Sequence, residues 1–409
     1  MEQRIVIERL GHLGDGVAHG PVFATRTLPG EVVEGVITGD RMADPKIVTP
    51  SPDRVKPPCP HYNQCGGCSL QHARDDFVAA WKQDVVRTAL AAQGLTAPLR
   101  PIQTSPPRSR RRATLAGTRT KKGALVGFHA ARSDTIVPIT DCHILHPRLM
   151  AAVPLLEEIT RLGGSRTGVL SFSLTLSDEG LDCAVGGGKP LDATLQTVLP
   201  QFSDRLARLT WNGETAFTVA SPTQVMGNAR VTPPPGAFLQ ATIEGEAALL
   251  AAVRDAVAGA TAIVDLFAGC GTFTLPLAMS APVHAVESEA DMLAALDHGA
   301  RFATGQKRIT IETRDLFRRP LLPDELKRFD AAIIDPPRAG AEAQVAEIAR
   351  AQTPRIAMVS CNPATFARDA KVLIDAGYRL NWVQVVDQFR WSPHVELAAS
   401  LTLPHIDAK

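Results

Sequence analysis

Long apolar runs are absent from this sequence of 409 residues. No stretch reaches the roughly 18 uninterrupted apolar residues that a membrane-spanning helix requires. Residues 1–16 also lack the apolar segment behind a basic region that marks a secretory signal. We therefore predict a cytoplasmic protein that has no membrane partner.

An excess of charge of either sign is missing as well. Lys and Arg total 43 while Asp and Glu total 42, so the formal net charge is +1. Any surface for nucleic acid must therefore be a local patch, because the whole molecule has no strongly positive field. With 45% hydrophobic and 21% charged residues, the composition excludes extensive disorder and is typical of a folded globular protein. No obligate protein partner is inferred.

Proline-rich segments divide the chain into three predicted domains. Short β-type runs between Gly, Pro and Asp turns predict a small β-barrel over 1–55. A helical pattern at 70–94, followed by mixed strands and helices, predicts a middle α+β domain over 56–235. Beyond it strands and helices alternate, which predicts an α/β domain with a doubly wound, mostly parallel sheet over 236–409. Ligands of such sheets bind in the loops after the strands, at their carboxyl ends.

A glycine turn follows the first strand of the predicted α/β domain. In DLFAGCGTFTL (265–275) the glycines allow the backbone to approach a ligand before the next helix. Thr274 stands where the dinucleotide fingerprint G-x-G-x-x-G requires its third glycine, which weakens the case for NAD. Glu287 ends the second strand, where a carboxylate can bind the ribose hydroxyls, and Asp315 follows the third strand and could face an adenine. The pattern favours a nucleotide-like cofactor other than NAD.

Two reactive groups are expected at the ends of the fourth and fifth strands. Asp335 opens DPPRAG (335–340) and Cys361 lies in SCNPAT (360–365), so both loops should line one cleft. A cysteine before a helix N-terminus experiences a positive field that lowers its pKa, as a nucleophilic thiolate requires. A buried structural cysteine is the alternative, but the neighbouring acidic loop favours a reactive site.

Three cysteines within ten residues predict a metal site. Cys59, Cys65 and Cys68 lie in CPHYNQCGGC, and Cys142 in TDCH can supply a fourth thiolate. Disulfides are not expected in a chain without an export signal. Zinc and an iron–sulfur cluster both fit four cysteines, so the spacing alone leaves the metal open.

A basic stretch without any acidic residue spans positions 108–122. Such a stretch favours contact with phosphates, although a solvated basic face is the alternative. Its members are Arg108, Arg110, Arg111, Arg112, Arg119, Lys121 and Lys122.

Three motifs near the C-terminus together resemble the RNA uracil-C5 methyltransferase family. They are VSCNPATFARD (359–369), DPPRAG upstream and PHVELAA (393–399) downstream, and DLFAGCGTFTL resembles the first motif of class I S-adenosylmethionine methyltransferases. The resemblance covers about 240–409 and implies that Cys361 attacks C6 of uracil and that Glu396 removes the C5 proton. It also implies S-adenosylmethionine as cofactor. The cofactor contacts that it implies are Gln240, Phe267, Thr272, Glu287 and Asp335.

The N-terminal half resembles one branch of that family. CPHYNQCGGCSLQH (59–72) is similar to its 4Fe–4S motif, and the resemblance implies a cluster held by Cys59, Cys65, Cys68 and Cys142. LGDGVAHG (13–20) and LPGEVVEGVI (28–37) resemble the OB-like, RNA-binding TRAM module, here shortened in its second half. The branch implies formation of 5-methyluridine in 23S ribosomal RNA.

Three other functions remain open at this point. The same chemistry could act on transfer RNA. The chain could be a non-catalytic iron–sulfur RNA-binding protein, against which the presence of Cys361 and Glu396 argues. It could also be a dehydrogenase, against which the threonine at position 274 argues.

Overall fold

The N-terminal segment folds into a small barrel. The computed structural model describes residues 2–404, so residue 1 of the predicted barrel and residues 405–409 of the predicted α/β domain lie outside the described residues. Alternate apolar side chains such as Ile7, Val33 and Met42 point inward and are buried. The strands are β1 (Glu2–Leu10), β2 (Gly16–Ala18), β3 (Val22–Ala24), β4 (Val32–Thr38), β5 (Arg41–Met42) and β6 (Lys46–Thr49). Strand β1 pairs with both β2 and β4, which closes the sheet and confirms the predicted barrel.

A turn-rich segment that contains the cysteine loop (59–72) leads from the barrel to one long helix and one strand. These are α1 (Asp75–Ala92) and β7 (Leu99–Thr104). Helix α1 begins with Asp75 and Asp76, whose negative charges favour a helix N-terminus. Its apolar residues recur at helical spacing, and Trp81, Val86 and Leu90 are buried.

A second sheet of seven strands forms the middle of the molecule. Its order is β10-β9-β8-β11-β12-β13-β14, and every pair is antiparallel except β12 with β13. Leu156 and Ile159 of α3 pack with Leu115 and Phe172 of the sheet in one apolar core. The elements are β8 (Arg112–Arg119), β9 (Ala124–His129), β10 (Ile136–Pro138), α2 (Pro147–Ala151), α3 (Val153–Gly163), β11 (Val169–Leu176), β12 (Leu181–Gly186), α4 (Ala193–Val198), β13 (Arg208–Trp211) and β14 (Glu214–Thr218), followed by the hairpin of β15 (Gln224–Met226) and β16 (Ala229–Val231).

The C-terminal part alternates helices and strands around an eight-stranded sheet of order β19-β18-β17-β20-β21-β23-β22-β7. Strands β17 to β21 run parallel, and β23 lies antiparallel between β21 and β22. The elements are α5 (Ile243–Ala256), β17 (Ile263–Leu266), α6 (Thr274–Leu277), β18 (Val283–Glu287), α7 (Ala290–Phe302), β19 (Ile309–Thr313), α8 (Pro323–Leu326), β20 (Ala331–Ile334), α9 (Glu342–Ala351), β21 (Arg355–Ser360), α10 (Pro363–Asp375), β22 (Arg379–Asp387) and β23 (Glu396–Thr402).

Helices cover both faces of this sheet, as the doubly wound prediction requires. Val264 and Leu266 of β17 pack in one core with α1, α9 and α10, while Ile263 of the same strand packs with α5 on the opposite face. The neighbours of β17 are β18 on one side and β20 on the other, so the order of the strands reverses there. Ligands bind at such switch points, beyond the carboxyl ends of the strands.

The residues predicted as one middle domain, 56–235, contribute to more than one part of the structure. Strand β7 pairs with β22 at the edge of the C-terminal sheet, and α1 packs against α10. Pro101 in β7 fits an edge position, because proline has no N–H to donate to a neighbouring strand. Strand β16 packs against α7. Across residues 2–404, no helix is long and apolar enough to cross a membrane.

Candidate active site

One cleft of about 1040 Å³ runs from the carboxyl ends of the parallel strands to the cysteine loop. We define the cleft by the glycine turn after β17, the loops after β20 and β21, the start of β23, and the cysteine loop. Every site residue proposed from the sequence lines it. These residues are Cys59, Cys65, Cys68, Cys142, Gln240, Phe267, Thr272, Glu287, Asp335, Cys361 and Glu396.

The glycine turn after β17 forms the cofactor side of the cleft. Phe267 has a φ of 64°, a left-handed conformation that is rare for a bulky residue and strains the backbone at this turn. Gly271 has a φ of 93°, and a Cβ there would lie 2.8 Å from the side chain of Leu296. Thr274, at the missing third glycine, donates through its hydroxyl to the buried carboxylate of Asp265 at 2.5 Å. The turn is therefore held tightly against the sheet.

Glu287 is oriented by backbone donors at the end of β18. Its carboxylate accepts hydrogen bonds from the amides of Gly269 at 3.1 Å and Ser288 at 2.6 Å. The ring of Phe317 lies 5.5 Å from the ring of Phe267, and the backbone amide of Phe317 donates to Asp315 at 3.0 Å. A carboxylate beside two aromatic rings and a glycine turn suits a ribose with an attached adenine.

Cys361 lies between β21 and α10, in the position that the sequence predicts. The predicted effect of the helix terminus on its pKa is wrong, however. Burial, together with the neighbouring carboxyls of Glu396 and Asp335, raises the pKa of the Cys361 thiol to about 11, against the opposing charge of Arg338. In this site desolvation and two acidic neighbours disfavour the thiolate.

The two acids beside Cys361 also have raised pKa values. Burial raises the pKa of Glu396 to about 7, while the hydrogen bond from Gln388 and the charge of Arg338 act in the opposite direction. Burial, together with Glu396 and Asp265, raises the pKa of Asp335 well above its usual value. The pKa of Glu396 lets its carboxyl exchange a proton near neutral pH, which is typical of catalytic sites.

Arg338 connects the loops that carry Asp335 and Cys361. Its carbonyl accepts hydrogen bonds from the side chains of Asn362 at 3.0 Å and Thr365 at 3.3 Å. Its guanidinium contacts Nδ1 of His394 at 2.8 Å. No role was predicted for Arg338 from the sequence, although its position within DPPRAG is a signal that could have identified it.

The loop between β22 and β23, residues 388–395, places Glu396 in the cleft. The buried ammonium of Lys82 in α1 contacts the carboxylate of Asp387 at 2.5 Å and the carbonyl of Phe389 at 3.0 Å. The carbonyl of Trp391 accepts from the amides of Ser69 at 2.8 Å and Leu70 at 3.0 Å. The cysteine loop is therefore hydrogen-bonded directly to the loop that precedes Glu396.

The four predicted metal ligands lie together at the other end of the cleft. Burial raises the pKa of Cys65 and Cys142 and raises that of Cys68 to about 12, and charges on the neighbouring cysteines act in the same direction. Within the described part of the chain, no three His, Cys, Asp or Glu side chains form a group that could hold a metal ion. The structure thus brings the four thiols to one region without showing a metal site.

The basic stretch divides among different roles. Arg111 is buried and forms an ion pair with Glu246, which makes it structural. Arg110 and Arg112 line the cleft, above the rings of Phe389 at 5.5 Å and Phe238 at 5.4 Å. Arg108 pairs with Asp141, Arg119 is half-buried, and Lys121 and Lys122 are exposed. Of the predicted phosphate contacts, those that remain candidates are the arginines that line the cleft and the exposed residues of the stretch.

Comparisons with known proteins agree on one kind of chemistry. The profile of the tRNA (uracil-5-)-methyltransferase family matches residues 306–403. An RNA methyltransferase of Mesorhizobium japonicum is 42% identical over 409 residues, which cover 99% of each chain. A 23S rRNA (uracil(1939)-C(5))-methyltransferase of Dichelobacter nodosus is 33% identical, over 97% of this chain and 98% of the relative.

The fold comparison covers the whole molecule. The crystal structure of the Pyrococcus abyssi tRNA (uracil-54, C5)-methyltransferase in complex with S-adenosyl-L-homocysteine matches with a TM-score of 0.77 and 25% identity. The match covers 98% of this chain and 99% of that one. Barrel, middle sheet and C-terminal sheet thus have counterparts in one solved protein.

Proposed function

Because this chain belongs to the family of S-adenosylmethionine-dependent RNA uracil-C5 methyltransferases, we propose that it forms 5-methyluridine in 23S ribosomal RNA. Cys361 acts as the nucleophile and Glu396 as the base. The observation that carries this proposal is the cleft itself, in which Cys361, Asp335 and Glu396 lie together beside the glycine turn.

The cofactor side of the cleft fits S-adenosylmethionine. Glu287 would hold the ribose hydroxyls, and Phe267 and Thr272 would bound the remainder of the nucleoside. Gln240 and Asp335 would face the end that carries the reacting centre. When bound, the cofactor supplies an electrophilic methyl group. The chain supplies a site in which a uracil ring can be made nucleophilic and then restored.

Cys361 activates the ring because C5 of uracil is a poor nucleophile. As the sulfur bonds to C6, the electron pair of the C5–C6 double bond moves towards C5 and O4, and the thiol proton leaves to water. Arg338 favours the thiolate, against the burial that holds the thiol neutral. Reaching C6 requires the base to leave its stack, so the target uridine is flipped or unpaired.

Glu396 completes the reaction after C5 carries the methyl group. Its carboxylate takes the C5 hydrogen as a proton, the double bond reforms, and the sulfur leaves C6. A pKa of about 7 suits this task, because the group is partly ionised at neutral pH and remains basic. Burial in the cleft supplies that basicity.

Ribosomal RNA is the proposed substrate for two reasons. The relative that is named for 23S ribosomal RNA shares more of its sequence with this chain than the solved transfer RNA enzyme does. The cysteine pattern CPHYNQCGGC is also typical of the ribosomal branch that the N-terminal half resembles. Transfer RNA is the competing substrate of the same chemistry.

We expect the purified protein to methylate a 23S ribosomal RNA transcript and to leave transfer RNA transcripts unmodified. The measurement is mass-spectrometric mapping of 5-methyluridine after reaction with labelled S-adenosylmethionine. The same mapping on cellular RNA should show the nucleotide missing from ribosomal RNA when the gene is deleted. Loss from transfer RNA alone would overturn the substrate assignment and leave the chemistry intact.

We further propose that Cys59, Cys65, Cys68 and Cys142 hold a 4Fe–4S cluster with a structural role. Four thiols at one end of one cleft fit the donor set of such a cluster. Arg110 beside Cys68 and Cys142 provides positive charge for a group with anionic ligands.

Anaerobically purified protein should be brown, with the broad visible absorbance of iron–sulfur clusters. Cys142→Ser should bleach that absorbance and lower the iron content. Cys183→Ser is the matched control, because this cysteine is buried in the core of the middle sheet and does not line the cleft. Colourless wild-type protein that holds stoichiometric zinc would refute the cluster.

The barrel, proposed as a TRAM-like module, is held next to the cysteine end of the cleft. Its Asp15 pairs with Arg132 of the middle sheet at 2.7 Å. Its Arg26 donates to the carbonyl of Asn63 in the cysteine loop at 2.8 Å. We therefore propose that the barrel contacts the same RNA whose uridine enters the cleft.

A further inference from the structure

We propose that Gln388 is a positioning residue whose single side-chain amide orients both Glu396 and Gln240. The inference rests on the proposed function, because it assumes that Glu396 is the base and that Gln240 faces the cofactor. No sequence signal points to Gln388, which lies outside the motifs described above.

The orientation of the Gln388 amide is determined by a backbone group. The N–H of Ala241 can only donate, and it lies 2.8 Å from Oε1 of Gln388, so this oxygen is the acceptor. The NH₂ group of Gln388 is then the donor to Oε1 of Gln240 at 2.5 Å and to Oε2 of Glu396 at 3.0 Å. Gln388 is buried, with 2% of its surface exposed, so water does not compete for these bonds.

In Glu396 this arrangement uses one carboxylate oxygen as the acceptor for Gln388 and leaves the other carboxylate oxygen for the substrate. Among the described residues, Gln388 is the only hydrogen-bond donor to this carboxylate, and it reaches Oε2. The donated bond favours the ionised form of Glu396, which is the form that can take a proton. It also restricts rotation of the carboxylate and so holds Oε1 in a defined direction.

For Gln240 the same amide decides which end of the side chain faces the cleft. Its Oε1 is used as the acceptor for Gln388, so its NH₂ group is left as the donor. Its backbone carbonyl accepts from Nε of Arg111 at 3.2 Å, which anchors the residue from the other side. Gln240 therefore presents a donor to an acceptor oxygen of whatever occupies the cofactor side of the cleft.

A purely structural role must be separated from positioning. Gln388 also packs closely, since a Cβ added at Gly245 would lie 2.6 Å from Cβ of Gln388. Gln388→Met keeps approximately the same volume and removes both the donor and the acceptor. Gln384→Met is the matched control, because Gln384 is a buried glutamine of the same β22 region. Within residues 2–404 its amide donates only to the carbonyls of Pro101 at 2.7 Å and Val385 at 3.0 Å.

The test is the pH dependence of the release of the covalent RNA adduct in single-turnover reactions. Glu396 faces Asp335, Cys361 and Arg338 as well as Gln388, but Gln388 has no hydrogen bond to those three groups. Loss of the donor leaves fewer Glu396 side chains ionised at neutral pH. We expect Gln388→Met to move the acidic limb of the profile upward by about one pH unit. Below the limb the adduct should then be released roughly tenfold more slowly than in wild type, and the rate should recover at higher pH.

A second readout reports on Gln240. Gln388→Met should weaken S-adenosylmethionine binding in calorimetry by roughly tenfold, the scale of one lost hydrogen bond. Gln384→Met should lower the melting temperature and change neither the pH limb nor the binding. If Gln388→Met does not fold, Gln388→Glu decides in its place, because it keeps the shape and an acceptor for Ala241 while replacing the NH₂ donor.

The inference is overturned if Gln388→Met leaves both the acidic limb and the affinity for S-adenosylmethionine unchanged. It is also overturned if Gln384→Met changes these two quantities as much as Gln388→Met does. Failure of the underlying function is distinguishable in the same assay. If Glu396→Gln accumulates an adduct and Gln388→Met behaves as wild type, only the positioning role fails. If Glu396→Gln accumulates none, the assignment of the base fails, and the positioning role that depends on it fails with it.

Discussion

Replacing Cys361 by alanine should abolish methylation, with a loss of more than about a thousandfold in single-turnover rate. Without the sulfur, nothing adds to C6, and C5 remains too poor a nucleophile to accept a methyl group. Binding of S-adenosylmethionine should stay within a few-fold of wild type, because in the proposed mechanism the thiol attacks the base, and the proposed cofactor side is built from the glycine turn and Glu287. Transfer of label to RNA and calorimetry measure the two quantities separately.

Cys183→Ala serves as the control for Cys361→Ala. Cys183 is a fully buried cysteine in the core of the middle sheet, so its loss should lower stability without affecting the chemical step. Turnover retained by the Cys361 variant would show that another group adds to the ring. Loss of cofactor binding in that variant would show that the cysteine supports the cleft in addition to attacking the base.

Replacing Glu396 by glutamine should stop the enzyme late in the reaction. In the proposed mechanism, attack by Cys361 and methylation of C5 precede the step that needs Glu396, so a covalent protein–RNA adduct should accumulate. It should survive denaturing electrophoresis and carry label from the methyl donor. Turnover should fall by at least about a hundredfold, the lower end of the usual contribution of a general base.

The double variant Cys361→Ala, Glu396→Gln is the control for the adduct and should form none. An inactive Glu396→Gln enzyme without adduct would place Glu396 before or during attack. Methylation at the wild-type rate would assign the proton to another residue or to water. The adduct also reports on substrate choice, since the trapped RNA can be sequenced around the attached nucleotide.

Features that depend on a few consecutive residues were predicted correctly from the sequence. The glycine turn after β17, the cysteine before α10 and the alternation of strands and helices are all present in the structure. A turn depends on the dihedral angles that neighbouring residues allow, and a helix or strand depends on a short apolar period. The motifs also led to residues that share one cleft, because parallel strands bring their carboxyl ends to one edge.

Features that depend on distant residues were decided only by the tertiary structure. The pKa of Cys361 depends on burial and on Glu396, 35 positions further along the chain, so the local helix terminus predicted the wrong direction. Strand β7 pairs with β22 across about 280 residues, and no local pattern encodes that partner. Arg111 looks like a phosphate ligand in the sequence but is buried against Glu246. Electrostatic environment and strand pairing act through space, whereas sequence patterns report what lies nearby along the chain.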